Sequence, residues 1–391
     1  MKIVDVCAFY APHGGGVKTY VERKMALGPG LGHEIVLVVP SDANRVERRG
    51  SGARIIHVKA PRLIFDHRYR YFDDPKIVHD ILDHEAPDFV EASSPWRTAN
   101  IVADWHGSAP RALIMHADPL SAYAYRWLGG IARRHTIDRG FDLFWQHLRR
   151  LGAKYDLTVA ANRDLTERLT KGGMAGVVTL PMGIESGIFS PDHRDPELRR
   201  DLLARCALNE GATLLLGVGR HSAEKRWPMI IEACIAASHQ RPLGLVIIGD
   251  GRNRSQLMRH VGGNPHIQLL APVRDRRTLA RVVASSDALI HGCEAETFGM
   301  VAAEAAASGL PLIVPNEGGA SAILAMGAGM GFSSGDVHSV TGAIDRLHVS
   351  GLSRTRRVAR SKAASIPTIG QHFVSLFARY EGLARRLAQA A

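Results

Sequence analysis

The chain has 391 residues, so two domains of ordinary size are expected. Apolar residues make up 46% and charged residues 22%, which excludes a disordered or low-complexity protein. Lys and Arg outnumber Asp and Glu by 49 to 38, and a net charge of +11 favours polyanionic company: nucleic acid, an anionic membrane surface or phosphorylated small molecules.

Met1-Lys2-Ile3-Val4-Asp5-Val6 is too short an apolar stretch for a signal peptide, and Asp5 interrupts it. With no apolar run of 18 or more residues, the reading is a cytoplasmic protein, able to rest on the inner membrane face as a peripheral one. Cys7, Cys206, Cys234 and Cys293 are far apart and form no C-x-x-C pair, so neither a zinc site nor a disulfide framework is expected.

Strands are predicted at Ile3–Cys7, Glu34–Val39, Asp88–Val90, Ala112–Met115 and Leu157–Ala160. A second set follows at Thr213–Val218, Leu243–Ile248, Ile267–Leu270, Ala288–Ile290 and Leu310–Val314. Short continuous apolar runs read as strands buried on both faces. The helical segments between them imply right-handed β-α-β units, hence an α/β fold of two doubly wound, Rossmann-like domains. The pattern breaks near Leu180-Pro181-Met182-Gly183-Ile184, a punctuated linker. A ligand cleft between the halves, at the carboxyl ends of the strands, is the expected site.

Five segments carry candidate chemistry. The most specific is Glu296-Thr297-Phe298-Gly299-Met300-Val301-Ala302-Ala303-Glu304, two glutamates separated by seven residues. The first lies in a loop and the second in a helix that stops near Gly309. Free N–H groups at or near Phe298, Gly299 and Met300 would meet phosphate or sugar oxygens. Eight residues of helix span about 12 Å, the scale of a sugar-diphosphate-ribose unit. The two carboxylates could accept hydrogen bonds from sugar and ribose hydroxyls. Glu294 is the candidate for the exposed, uninvolved neighbour.

Gly217-Val218-Gly219 leads into Arg220 and Lys225, two cations in one loop. Cations fixed there stabilise the charge that a departing diphosphate gains. Ile247-Ile248-Gly249-Asp250-Gly251 is a strand end with a tight turn, placed to border a nucleotide. Gly14-Gly15-Gly16 follows the first strand, and His116-Ala117-Asp118 closes another.

Together the ordered set resembles family 4 of the retaining glycosyltransferases, which have the GT-B fold. The matching pieces are Gly14 to Gly16, His116, Pro181-Met182-Gly183-Ile184, Gly219-Arg220 with Glu224-Lys225, Gly249-Asp250-Gly251, Glu296 to Glu304, and Gly318-Gly319. The resemblance implies an acceptor-side domain over 1–180 and a nucleotide-sugar domain over 181–368. A C-terminal helix over 369–391 is expected to pack back toward the first domain.

The resemblance also implies residue roles. His116, Arg220, Lys225 and Glu296 form the catalytic set. Gly16, Gly219, Arg220, Lys225, Gly249, Val273, Glu296, Phe298, Gly299, Met300, Val301 and Glu304 bind the donor. Gly15, Lys18, Tyr20 and Asp118 lie on the acceptor side. The donor is a UDP- or GDP-sugar and the acceptor a lipid, a lipid-linked sugar or a polysaccharide. No metal or other cofactor is expected, and no nucleic acid. Two departures stand out: Met182 replaces the common Asn of the linker, and no acid follows Gly318-Gly319.

Bland readings stand beside these. Arg220 and Lys225 could be loop charges, His116 a satisfied core residue, and Gly14 to Gly16 only a turn. Leu120 to Leu151, apolar at helical spacing with six arginines among, fits an interfacial helix pair or domain helices with solvated arginines. His67 to Phe72 could bind an acceptor or close a loop. Gly217-x-Gly219 with Asp250 imitates a dinucleotide fingerprint, but Ser222 stands where its third glycine belongs. A nicotinamide oxidoreductase, a nucleic-acid binder and a sugar-nucleotide epimerase are the rival classes.

Overall fold

The protein is described from a computed structural model, which covers residues 1–10, 15–63, 66–116, 118 and 140–390. It divides into two compact units. Among the described residues, the first gathers those of 1–118, 140–181 and 369–390, and the second holds Met182–Thr368.

The first unit is built on strands β1 (Lys2–Val6), β2 (Glu34–Ser41), β3 (Arg45–Arg48) and β4 (Ala53–Lys59), with the small pair β5 (Arg62–Leu63) and β6 (Asp66–Arg70). It continues with β7 (Phe89–Ser93), β8 (Arg111–Met115), β9 (Leu157–Ala160) and β10 (Val177–Thr179). The main sheet runs β10-β9-β8-β7-β1-β2-β4-β3, parallel except for β3. Ile3, Val4, Val6, Ile35 to Val38, Phe89 and Val90 carry essentially no exposure, as a sheet covered on both faces requires. The helix Ile369–Ala390 belongs to this unit, where Tyr380 stacks on Phe89 at 3.9 Å between centroids.

The second unit holds β11 (Thr213–Val218), β12 (Leu243–Ile248), β13 (Ile267–Leu270), β14 (Ala288–Ile290), β15 (Leu312–Pro315) and β16 (Gly329–Phe332). The order is β13-β12-β11-β14-β15-β16, all parallel. Its sheet and the helix Trp227–Ser238 share a core of Leu215, Trp227, Ile230, Leu245, Ile247, Ile290 and Phe332. Both sheets reverse their winding order beside the first strand of the unit, so each has a switch point at its carboxyl edge. No helix among the described residues is long and apolar enough to cross a membrane.

Helix starts fall into two kinds. Asp74, Asn162, Asp195, Asp275 and Asp336 each cap a helix by accepting from a backbone N–H two or three residues on. The helices Gly16–Leu27, Trp227–Ser238, Met300–Ala307 and Gly318–Met326 have no side-chain cap, and neither do Arg97–Ala103, Asp142–Gly152, Arg254–Val261 and Leu352–Lys362. The first four contain or directly follow the glycine- and charge-bearing motifs singled out in the sequence.

Candidate active site

In the second unit the loops after β11 and β12 are zipped together. Gly219 N–H donates to Ile248 O at 3.0 Å, and His221 N–H to Asp250 O at 2.8 Å. The approach leaves no room at Gly249: a Cβ there would lie 1.9 Å from Gly219 O. The glycines of both motifs thus let two strand ends close on each other.

The loop then presents its cations differently. Arg220 keeps three quarters of its side chain exposed, at 3.3 Å from Glu224. Lys225 is turned inward, and its ammonium donates to the Glu296 carboxylate. The two charged side chains keep 11% and 19% exposure, enough for a ligand to reach them. Burial works against both charges, yet their neighbours outweigh it: His291 and then Lys225 hold Glu296 below the usual carboxylate range, and Glu296 holds Lys225 above the usual amine range.

His291 adds a third group, its Nε2 lying 3.5 Å from Glu296. Burial pushes this imidazole down to about 4, so it is neutral at pH 7 and Lys225 carries the charge of the pair. No motif announced His291; its only signal was position, directly after the strand Ala288–Ile290. Ligand atoms of His291, Cys293 and Glu296 lie within 4.8 Å of one another, the set among the described residues that could hold a metal. The fit is poor, because the Lys225 ammonium already occupies Glu296 and burial holds the Cys293 thiol at about 12.

The Glu296 loop is fixed from two sides. Arg226, next to Lys225, forks onto Glu294, with Nε to Oε2 at 2.8 Å. Glu294 is therefore the buried structural member of the glutamate pair, and the expectation that it is exposed fails. Gly318 and Gly319 press against the loop: Gly319 N–H donates to Glu296 O at 2.7 Å, and a Cβ at Gly319 would meet Phe298 backbone at 2.4 Å.

Phe298 is buried, and the helix begins after Gly299. The first intrahelical bond runs from Ala303 N–H to Gly299 O, so the N-terminal groups that precede it are those of Met300, Val301 and Ala302. The sequence placed them at Phe298, Gly299 and Met300, two residues earlier, with Met300 common to both sets. Glu304, on the same helix, is buried with Arg276 Nη2 at 2.6 Å. Burial raises its carboxyl despite that arginine. Val273 is half-buried in the loop after β13.

In the first unit Gly15 and Gly16 are exposed, and a Cβ at either would meet no atom within 4 Å. Gly14 and Ala117 lie outside the described residues. Lys18 lies 3.9 Å from Glu22. Tyr20 is buried and its hydroxyl pairs with His372 Nε2 at 2.9 Å, so it faces the core rather than an acceptor. Asp118 is buried in an ion pair with Arg168. His116 is half-buried at the end of β8, its Nε2 3.2 Å from Ser93 Oγ.

Of the Leu120 to Leu151 segment, residues 120–139 lie outside the described residues. The described helix Asp142–Gly152 buries Trp145, Leu148 and Leu151 and leaves Arg149 and Arg150 outside. Asp66–Arg70 forms a strand with Arg62–Leu63. A surface hollow of about 440 Å³ beside Trp96, Asn100, Asp104 and His147 contains none of the expected residues.

Two family models match, the glycosyl transferase 4-like domain over residues 15–183 and glycosyl transferases group 1 over 199–364. The chain belongs to the family 4 glycosyltransferases. This glycosyltransferase is 28% identical over 391 residues to the GDP-mannose-dependent alpha-(1-6)-phosphatidylinositol dimannoside mannosyltransferase of Mycobacterium tuberculosis, covering 98% of this chain and 97% of that one. It is 27% identical over 327 residues to the GDP-mannose-dependent alpha-mannosyltransferase of Mycolicibacterium smegmatis, covering 82% and 80%. In fold it is similar to sucrose-phosphate synthase from Thermosynechococcus elongatus, with a TM-score of 0.74, 15% identity and full coverage of both chains. The catalytic domain of starch synthase IV from Arabidopsis thaliana, bound to ADP and acarbose, matches at 0.69 and 15% identity, over 100% of this chain and 99% of that one. The fold of the glycosyltransferase is GT-B.

Proposed function

We propose that this glycosyltransferase moves a mannosyl group from GDP-mannose to an inositol-phospholipid acceptor, with retention of anomeric configuration. The carrying observation is the Lys225–Glu296 pair beside the uncapped helix start at Met300. A cation, a carboxylate and unpaired N–H groups answer three parts of a sugar diphosphate: the phosphates, the sugar hydroxyls and the remaining phosphate oxygens. The choice of GDP-mannose and of an inositol lipid draws on the names of the two mycobacterial relatives.

In this reading Lys225 and Arg220 meet the diphosphate and Glu296 holds sugar hydroxyls. Met300 and Val301 N–H groups meet phosphate, and Glu304 accepts from ribose. The bond from the anomeric carbon to the β-phosphate oxygen breaks as the acceptor oxygen bonds to the same face. The acceptor proton passes to the leaving phosphate, and Lys225 stabilises the charge that develops there. No carboxylate nucleophile and no metal enters the scheme.

The test is transfer from GDP-mannose, UDP-glucose and ADP-glucose to phosphatidylinositol and its mannosides in mixed vesicles, followed by mass spectrometry and proton NMR of the product. An α-mannoside made from GDP-mannose, undiminished by EDTA, supports the reading. Transfer from another donor, a β-linked product or loss of activity in EDTA would overturn the corresponding part.

A further inference from the structure

The second unit gathers more guanidinium groups than the carboxylates beside them can use. Asp287, 4% exposed, stands just ahead of β14 and is tied to the start of β11. Its backbone N–H donates to Leu214 O at 2.9 Å, and its carboxylate accepts from Leu214 N–H at 2.9 Å. Arg199 forks onto the same carboxylate, with Nε to Oδ1 at 3.0 Å and Nη2 to Oδ2 at 2.7 Å. Two more guanidiniums nevertheless approach it, Arg194 at 3.8 Å and Arg356 at 3.9 Å. Arg360, one turn beyond Arg356 on the helix Leu352–Lys362, pairs loosely with the exposed Asp192 at 3.6 Å. Arg281 is taken by Asp195 at 2.7 Å.

Arg194, Arg199, Arg356 and Arg360 thus carry four positive charges against the two negative charges of Asp287 and Asp192. Like charges four residues apart destabilise a helix, and Arg356 and Arg360 are such a pair. Burial and then Arg194 push the Arg356 guanidinium down to about 10, and Arg360 and Arg199 act in the same direction. The hydrogen bonds show the same excess. Arg356 is anchored by Nη1 to Ser286 O at 2.5 Å, yet its Nε and Arg194 Nη1 are buried without a hydrogen-bond partner. A buried N–H left unanswered costs free energy. The arginines are also held in place: a Cβ at Gly309 would lie 2.7 Å from Arg360 Cγ, so the Arg360 stem packs against the end of the helix Met300–Ala307. Arg194 and Arg360 keep 30% and 48% of their side chains exposed, so the cluster is reachable from solvent.

We propose that Arg194, Arg356 and Arg360 form a second anion site that takes a phosphate group. Arginine forks match phosphate oxygens, and a phosphate dianion would cancel the surplus of two charges and accept from the unanswered N–H groups. Asp287 and Leu214 stand at the beginnings of the parallel strands β14 and β11, whereas His291 and Lys225 follow their ends. The two sites therefore lie at opposite edges of the sheet, roughly 15–20 Å apart. Binding there requires nothing of the donor loops.

The experiment is a thermal melt of the full chain in inorganic phosphate against chloride of equal ionic strength. At about ten times its dissociation constant, phosphate should raise the melting temperature by about 3–5 °C. Arg194→Gln and Arg360→Gln each remove a repelling charge, so they should melt no lower than the parent in chloride and should lose most of the phosphate rise. Lys225→Ala, altered in the donor loop, should keep it. No rise in the parent, an equal rise in both arginine variants, or loss of the rise in Lys225→Ala would overturn the proposal. Where the rise is found, sedimentation with vesicles of phosphatidylglycerol in phosphatidylcholine names its source. Binding that both arginine variants lose assigns the phosphate to a lipid headgroup, and no binding assigns it to a soluble ligand.

Discussion

Each unit buries a lysine against carboxylates, and the two arrangements differ in one respect. Lys24 meets Asp5 and Glu91 with no exposure on any of the three, whereas Lys225 meets Glu296 with both side chains partly open to solvent. A sealed ion pair has no partner to exchange and acts on folding and on the orientation of its neighbours. An open pair can swap its internal partner for a ligand. Among the helix starts, that at Asp195 is closed by its own side chain, whereas that at Met300 has no side-chain cap.

The largest expected effect is on the sealed pair. Lys24→Ala leaves two buried carboxylates unpaired and should destabilise the first unit by about 3–5 kcal/mol. In a thermal melt that is a fall of roughly 10 °C. A fall under about 3 °C would show that water reaches the site and that the two pairs are alike. Lys225→Ala should reverse the balance. It should lower kcat/KM by about 10²- to 10³-fold, with a smaller loss of melting temperature than Lys24→Ala. A variant that loses stability but not activity would move Lys225 into the structural class.

Acid should act on both units through neutral buried histidines. Burial holds His291 and His372 at about 4, below the usual histidine value near 6.5. Between those values the folded protein binds fewer protons than the unfolded chain, so stability falls as pH drops from about 6.5 to about 4. Melting temperatures followed across that window should decline, and His372→Gln should flatten the first unit's share of the slope. The smallest effect is on a closed helix start. Asp195→Ala removes the cap that accepts from Glu197 and Leu198, costing about 1 kcal/mol in stability with turnover unchanged.

Much of this architecture could be read from the chain. The ten predicted strands all appear; most are apolar runs covered on both faces, while Ile267–Leu270 is a half-buried edge strand. Gly329–Phe332 was missed since its Gly-Met-Gly-Phe sequence opposes strand propensity; it forms because β15 offers a paired edge, Leu312 against Gly329. Arg45–Arg48 and Ala53–Lys59 were missed because charged residues interrupt their apolar pattern. At the site, Lys225 and Glu296 were singled out separately, 71 positions apart, and the fold joins them. Glu294 was misread because spacing does not reveal burial; its partner Arg226 stands next to Lys225, a position the sequence offers no reason to prefer. The Lys24, Asp5 and Glu91 cluster was invisible for the same reason, as it links β1, a helix and β7 through space.

The central claim is that Lys225 and Glu296 form an open pair for a sugar-nucleotide donor. Isothermal titration of GDP into the wild type and into Lys225→Ala tests it most directly. Binding by the wild type, weakened about 10-fold or more in a variant whose melting temperature stays close to the parent, is the predicted result. Equal GDP affinity in the two proteins, or no binding by either, would contradict it.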